Sequence, residues 1–442
     1  MCIIAVIPTG AYFAYFEIQP LSKELCEELH IDKTRFGSLF MIYSAPNIVL
    51  ALFGGALADK LGLRWYGIIL NGLVTVGNFL VAGAAYTHGT ETPFIVMMIG
   101  RFLFGVGADI YYIVNISMLV RYFSGTAILS TAFGVSFFFL RLADFLALAM
   151  PAVIAKDLGD YKWVLWIGGI LSFVCLLFHG IYVLMDNYGR RRLELKSTEE
   201  RKLNFGAIWN FDSRFWLLSL IVTLYYAEIS AFTTTASDFL QDQFQYDSTH
   251  AGYTCSAISV SSMILSPIIG RLVDCVGRRT YLLLVSILLL IIAHGCLGFA
   301  QSVPPILCFS ILGLSLALVQ ACVWPAIPMI IPEEYTSTAY GIFMAGLNLG
   351  MINSVVITAL AQGDIPDSPD KCVVPRGTYK WNIAMLYLVA LEAFTFMVVI
   401  VLTLVDQFKG GQLCETVKPQ INNDEEPSDS EDTALIISDS VQ

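Results

Sequence analysis

Apolar residues run through this chain in long continuous stretches, and polar residues collect in the short gaps between them. Twelve stretches are legible, at about 2–18, 36–58, 65–86, 93–121, 127–154, 163–185, 214–239, 250–273, 280–299, 305–331, 337–361 and 381–405. Most come near the roughly 20 residues that a helix needs to cross a hydrocarbon core of ~30 Å. They are continuous rather than alternating with period two, so helices and not barrel strands satisfy the backbone. The first stretch is short for a spanning helix and lacks the charged start and cleavage site of a signal peptide, so the chain is expected to begin inside that helix. A polar segment carrying Arg190-Arg191-Arg192, Lys196, Arg201 and Lys202 separates six stretches from six. The predicted organisation is an N-terminal six-helix bundle over 1–185, a linker over 186–213, a C-terminal six-helix bundle over 214–405 and a disordered acidic tail over 406–442. The fold class is an all-α polytopic membrane protein.

One gap is written twice. Gly55, Asp59, Gly62 and Arg64 recur as Gly270, Asp274, Gly277 and Arg279, each pair separated by 215 positions. Four matches at one offset, each between two apolar stretches, indicate an internal duplication and two pseudo-symmetric halves. Gly55 and Gly270 permit close helix approach, and Gly62 and Gly277 let the chain reverse in few residues. Asp59 and Asp274 are expected to bond the N-terminus of a neighbouring helix and to pair with Arg64 or Arg279. Together with Arg278, these residues are assigned a gating role.

Composition narrows the reading. The chain has 442 residues, of which 56% are hydrophobic and only 14% charged. The net charge of −11 says little about partners, because nine acids lie after Val405. No basic face argues for nucleic acid. Of the 25 Lys and Arg, fifteen fall on the side of the N-terminus and eight on the other, with Arg101 and Arg141 inside helices. The positive-inside rule then puts both termini in the cytosol. Most cysteines lie within apolar stretches; Cys26 and Cys372 fall in loops on the non-cytosolic side and are expected as free thiols. No nucleophile–base pair, metal-ligand spacing or phosphate loop stands at plausible depth, so no enzyme, cofactor or metal site is expected.

Charges inside the apolar stretches cost ~2.5–3.5 kcal/mol each at mid-bilayer, so each needs a partner or a watery cavity. Arg101 and Asp109 lie about 12 Å apart along helix 4, and Arg141 and Asp144 share a face of helix 5. Glu228 sits midway along helix 7, where it either titrates with a transported proton or pairs within the bundle. Glu392 and His294 are expected to be satisfied by packing inside their own bundle.

The duplicated loop resembles the loop signature of the major facilitator superfamily. The run Arg101-Phe102-Leu103-Phe104-Gly105-Val106-Gly107 is similar to that family's fourth-helix pattern. The resemblance covers the whole chain and implies two six-helix bundles rocking about a central cavity, the major facilitator fold. Finer detail is similar to the family's lysosomal dipeptide transporters. It lies in Tyr12-Phe13-Ala14-Tyr15, Tyr43-Ser44-Ala45-Pro46-Asn47, Tyr225-Tyr226, Trp324-Pro325, Thr338-Ala339-Tyr340-Gly341 and Asn348-Leu349-Gly350. That likeness implies an alternating-access uniporter that exports dipeptides from the lysosomal lumen to the cytosol. It also implies a glycosylated single-pass accessory protein as partner; a homodimer is a further expectation. The acid of helix 4 falls at Asp109, where the family has Glu, and the helix-5 arginine falls at Arg141.

A dipeptide is a zwitterion, which wants a carboxylate for its ammonium and a guanidinium for its carboxylate. Substrate contact is assigned to Asp109 and Arg141, with Tyr12, Tyr15, Tyr226 and Trp324 lining side-chain pockets. The competing reading of Asp109 and Arg141 is a mutual structural ion pair. Arg101 is assigned a structural or gating role. Two functional alternatives stand beside dipeptide uniport: a proton-coupled carrier of another small organic anion or sugar, and a non-transporting receptor or scaffold. Asn115-Ile116-Ser117, the one glycosylation sequon, falls inside helix 4. In the tail, Glu431 before Leu435 and Ile436 resembles an acidic dileucine sorting signal.

Overall fold

The computed structural model describes residues 1–21, 25, 26, 31, 33–87, 91–192, 205–300, 302–362 and 381–416, and among these there is no strand. In the first half, α1 is Cys2–Phe16 and α2 is Lys33–Ser44 continued as Asn47–Leu61. They are followed by α3 Leu63–Ala84, α4 Thr92–Phe123, α5 Leu129–Ala149 and α6 Lys162–Arg192. The second half repeats the count with α7 Ser213–Gln243, α8 Ser248–Val276, α9 Arg279–Phe299 and α10 Pro305–Ile330. It ends with α11, Thr336–Met351 continued as Asn353–Gln362, and α12 Trp381–Phe408. Among the described residues ten helices are long and apolar enough to cross a membrane; α1 is shorter, and α11 is interrupted at Ile352. The twelve passes form two six-helix bundles.

Each bundle turns an apolar face outward. On α9, Tyr281, Val285, Leu288 and Ile292 form an exposed stripe, while Leu283, Ile287, Leu290 and His294 are buried. Water would penalise such a stripe, and lipid does not. α7 and α10 are the most enclosed of the spanning helices. The bundles meet along two seams, α2 against α11 and α5 against α8. Glycine makes both seams close: a Cβ on Gly55 would lie 2.3 Å from the Ser337 carbonyl oxygen, and one on Gly270 would lie 2.4 Å from that of Ser130. The duplicated turns are closed by Gly62 (φ 82°) and Gly277 (φ 65°), in backbone that L side chains rarely adopt.

Among the boundaries that differ from the sequence reading, two have a visible cause. α6 continues to Arg192, beyond the apolar stretch that ends near 185. There Arg190 pairs with Asp186 one turn back at 3.5 Å, a helical contact that hydropathy does not register. The second difference is a correction. The segment after 405, expected to be disordered, is ordered through 416. Asp406 is fully buried and bonds Arg214 of α7 at 3.0 Å, and Leu413 is buried in a turn beneath the bundle. Two glycines and several charges hid this from a compositional reading.

Candidate functional site

The duplicated aspartates build the most regular feature of the molecule. Asp59, near the end of α2, accepts the backbone N–H groups of Ser337 at 3.1 Å and Thr338 at 2.7 Å, and the Thr338 hydroxyl at 2.6 Å. Asp274, at the matching place on α8, accepts Ser130 N–H at 2.9 Å, Thr131 N–H at 2.7 Å and the Thr131 hydroxyl at 2.6 Å. Neither α11 nor α5 carries a side-chain cap of its own. Each therefore takes its N-terminal carboxylate from the opposite bundle, where the orphan N–H groups and the helix dipole favour negative charge. These two contacts latch one face of the molecule shut.

The expected direct arginine contacts to these aspartates do not form, although Arg279 lies near enough to Asp274 to interact with its charge. Arg64 turns into its own bundle, to Asp186 at 3.4 Å and to Asn187. Arg279 donates across the seam to the Ser130 hydroxyl at 3.4 Å and back to the Glu415 carbonyl at 3.2 Å. Arg278 is exposed, and its backbone N–H bonds the Cys414 carbonyl at 2.9 Å. The physical reason is that the latch already fills the carboxylates with three donors each. The residues after α12 thus form a strap beneath the second bundle, with Gln412 accepting from Arg214 at 3.1 Å and Thr280 touching the Cys414 sulfur at 3.1 Å.

At the centre, α4 presents Asp109, only 6% exposed. Its Oδ1 accepts the Tyr43 hydroxyl at 2.5 Å and its Oδ2 the Asn348 amide at 2.9 Å. Both donors are neutral. Arg141 pairs with Asp144, one turn along α5, at 2.7 Å, and its Nε has no hydrogen-bond partner. The mutual pair of Asp109 and Arg141 is not formed; each keeps separate company. Tyr12, Tyr112 and Tyr226 stand close enough to interact electrostatically with Arg141.

Aromatic rings join the halves. Tyr12 packs edge-on against Tyr112 at 5.6 Å, Tyr112 against Trp324 at 6.0 Å, and Trp324 stacks on Tyr340 at 5.8 Å. Trp324 is 1% exposed and its indole N–H has no partner. Tyr15 packs on Tyr43 at 4.6 Å, and Tyr226 accepts from Gln320 at 3.4 Å. Tyr43, Tyr112 and Asn348 complete this centre although the sequence reading gave them no role there. Tyr43 and Asn348 stood in the stretches that carried the family resemblance, and nothing local marks Tyr112.

The remaining intramembrane charges lie elsewhere. Arg101 is buried against the rings of Phe40 and Phe104 at 5.7 and 5.5 Å, and none of its guanidinium nitrogens has a hydrogen-bond partner. Its electrostatic partner is Glu17, which the sequence reading did not single out and which fits beside Gly168 where any Cβ would collide with it. Glu228 takes the Thr395 hydroxyl, and Glu392 bonds His294, all fully buried in the second bundle. Asn115 is buried and donates to the Ile4 carbonyl at 2.8 Å. Glu431, Leu435, Ile436 and Cys372 lie outside the described residues.

Two helical bundles, a pair of symmetric latches between them and opposite charges at mid-depth define a membrane transporter. The chain belongs to the major facilitator superfamily, whose family model matches residues 4–352 and 218–411. It is 28% identical over 417 residues to the lysosomal dipeptide transporter MFSD1 of Homo sapiens, covering 91% of this chain and 85% of that protein. To the protein of the same description in Bos taurus it is 29% identical over 425 residues, covering 92% of this chain and 86% of the other. The crystal structure of the human organic anion transporter MFSD10 superposes with a TM-score of 0.68 at 15% identity, covering 90% of this chain and 98% of that one. That likeness is one of fold.

Proposed function

We propose that this protein moves dipeptides from the lysosomal lumen to the cytosol by alternating access, as a uniporter, with both termini and the latched face cytosolic. The observation that carries this reading is Asp109. A buried carboxylate whose hydrogen bonds come from a phenol and an amide has its charge uncompensated, which in a membrane interior calls for a cation. A substrate ammonium supplies one. Arg141 would take the substrate carboxylate in competition with Asp144, and the Tyr12, Tyr112 and Trp324 rings would border the side chains. The similarity to lysosomal dipeptide transporters over nine-tenths of the chain supports the same substrate class and membrane. The glycosylated accessory protein is carried with this reading by the family resemblance alone.

Radiolabelled dipeptide uptake into proteoliposomes tests the reading. Uptake is expected to collapse in Asp109→Asn and Arg141→Ala proteins that retain the wild-type melting temperature; normal uptake in both removes the clamp. A second reading, proton coupling, is favoured by the burial of Glu228 beside Glu392 and His294. It requires acidification of the receiving compartment during dipeptide flux that Glu228→Gln abolishes.

A further inference from the structure

α2 and α11 are joined at two levels. At the latched face Asp59 holds Ser337 and Thr338. At mid-depth Asp109 is held by Tyr43 of α2 on one oxygen and by Asn348 of α11 on the other. Thr338 and Asn348 lie on one unbroken helical segment, ten residues or about 15 Å apart. Between them Gly341 lets α11 rest on the α2 backbone, since a Cβ there would stand 2.6 Å from the Ala51 carbonyl oxygen. Asn348 is itself held in place: its amide also donates to Met344 one turn back at 3.0 Å. Asn348 supplies the side-chain hydrogen bond to Asp109 from the second bundle, whereas Tyr43 belongs to the same bundle as Asp109.

We propose that Asn348 transmits the occupancy of Asp109 to the cytosolic latch through the rigid first segment of α11. With Asp109 empty, the Asn348 bond holds α11 against the first bundle and favours the latched state. An ammonium on Asp109 brings stronger donors to the same oxygen, displaces Asn348 and leaves the latch to hold α11 unaided. Linkage fixes the consequence: a bond that stabilises the latched empty state weakens ammonium binding to that state by the same factor, so substrate favours opening. The identity of the cation as a dipeptide terminus rests on the proposed function; the bias in the empty protein does not.

The test places spin labels on non-natural residues at Lys60 and Glu334, both exposed at the latched face, in the full-length protein in nanodiscs. The distance distribution is measured without ligand and with saturating alanyl-alanine. In Asn348→Ala and Asn348→Leu the empty protein is expected to shift toward the open distance on the order of tenfold. The dipeptide-induced shift should shrink by a like factor, and dipeptide affinity should be equal or higher. Tyr122→Phe removes a bond to Asp186 within one bundle and away from Asp109, and should leave the empty distribution unchanged. Wild-type distributions in both empty Asn348 variants, or an undiminished dipeptide shift, overturn the proposal. Lower dipeptide affinity with unchanged distributions makes Asn348 an ordinary substrate contact and overturns it too. If alanyl-alanine fails to bind the wild type, the substrate reading falls, and the empty-state comparison still decides the role of Asn348.

Discussion

At the residue scale Asp109 is a buried carboxylate whose hydrogen-bond donors are both neutral. Losing the anion while keeping its shape isolates the charge, so Asp109→Asn is expected to weaken dipeptide binding by roughly 100-fold or more, the size of losing one partner of a buried charge pair. Its melting temperature should change little, because the weakened bonds from Tyr43 and Asn348 are offset by no longer burying an uncompensated charge. Isothermal titration and thermal unfolding on one preparation measure both. Asp109 and Arg141 were legible because a charge in an apolar stretch stands out by composition alone. Tyr43 and Asn348 were not, since a tyrosine or asparagine in a helix announces nothing until the fold brings it to a partner 66 or 239 residues away. Asp212, outside the spanning segments, offers a pH test. Burial raises its pKa, but hydrogen bonds from the Arg214 side chain and backbone and from Lys409 outweigh this and hold it down at about 2. A depressed folded-state pKa stabilises fully above the unfolded value of about 3.9 and loses its effect as the pH falls toward 2. Wild type should therefore melt above Asp212→Asn at pH 6, and the difference should fade between about pH 4 and pH 2.

At the element scale, helices followed from hydropathy, but their ends followed from contacts that hydropathy omits. α6 outlasts its apolar stretch through the Arg190–Asp186 pair, and the strap after α12 is anchored by Asp406, Arg214 and the buried Leu413. Burying a charge beneath the bundle is unfavourable unless it is paired, so Leu413→Asp should release the strap without unfolding the helices. Trypsin cleavage after Lys409 should then speed up roughly tenfold, as expected when a locally stable segment opens. Mass spectrometry of the released tail identifies the cleaved bond, and Lys418, which precedes Pro419, offers trypsin no competing site. An unchanged rate would mean that the bonds to Arg278 and Arg279 hold the strap without Leu413.

At the scale of the whole molecule, the offset of 215 positions revealed a duplicated architecture before any coordinate did, because a motif repeated between apolar stretches is visible in one dimension. What it did not reveal is that each copy would grip the other half. The donors to Asp59 lie 278 and 279 residues away and those to Asp274 lie 144 and 143 away, and no local pattern encodes such partners. This crossing has a mechanical consequence. If the halves move as two rigid bodies, neither seam opens without the other, so both latches bias one shared equilibrium. Charge-assisted bonds of this kind contribute about 1.5–3 kcal/mol, so Asp59→Asn should raise the open-to-latched ratio by roughly ten- to a hundredfold, and Asp274→Asn by a similar factor. The sites share no partner, so their free energies should add and the double variant should show the product of the two ratios. Label pairs at both seams, Lys60 with Glu334 and Ala127 with Arg271, separate the possibilities. Rigid-body motion requires Asp59→Asn to open the distant pair as far as the near one, whereas seams that open independently would leave the distant pair at its latched distance.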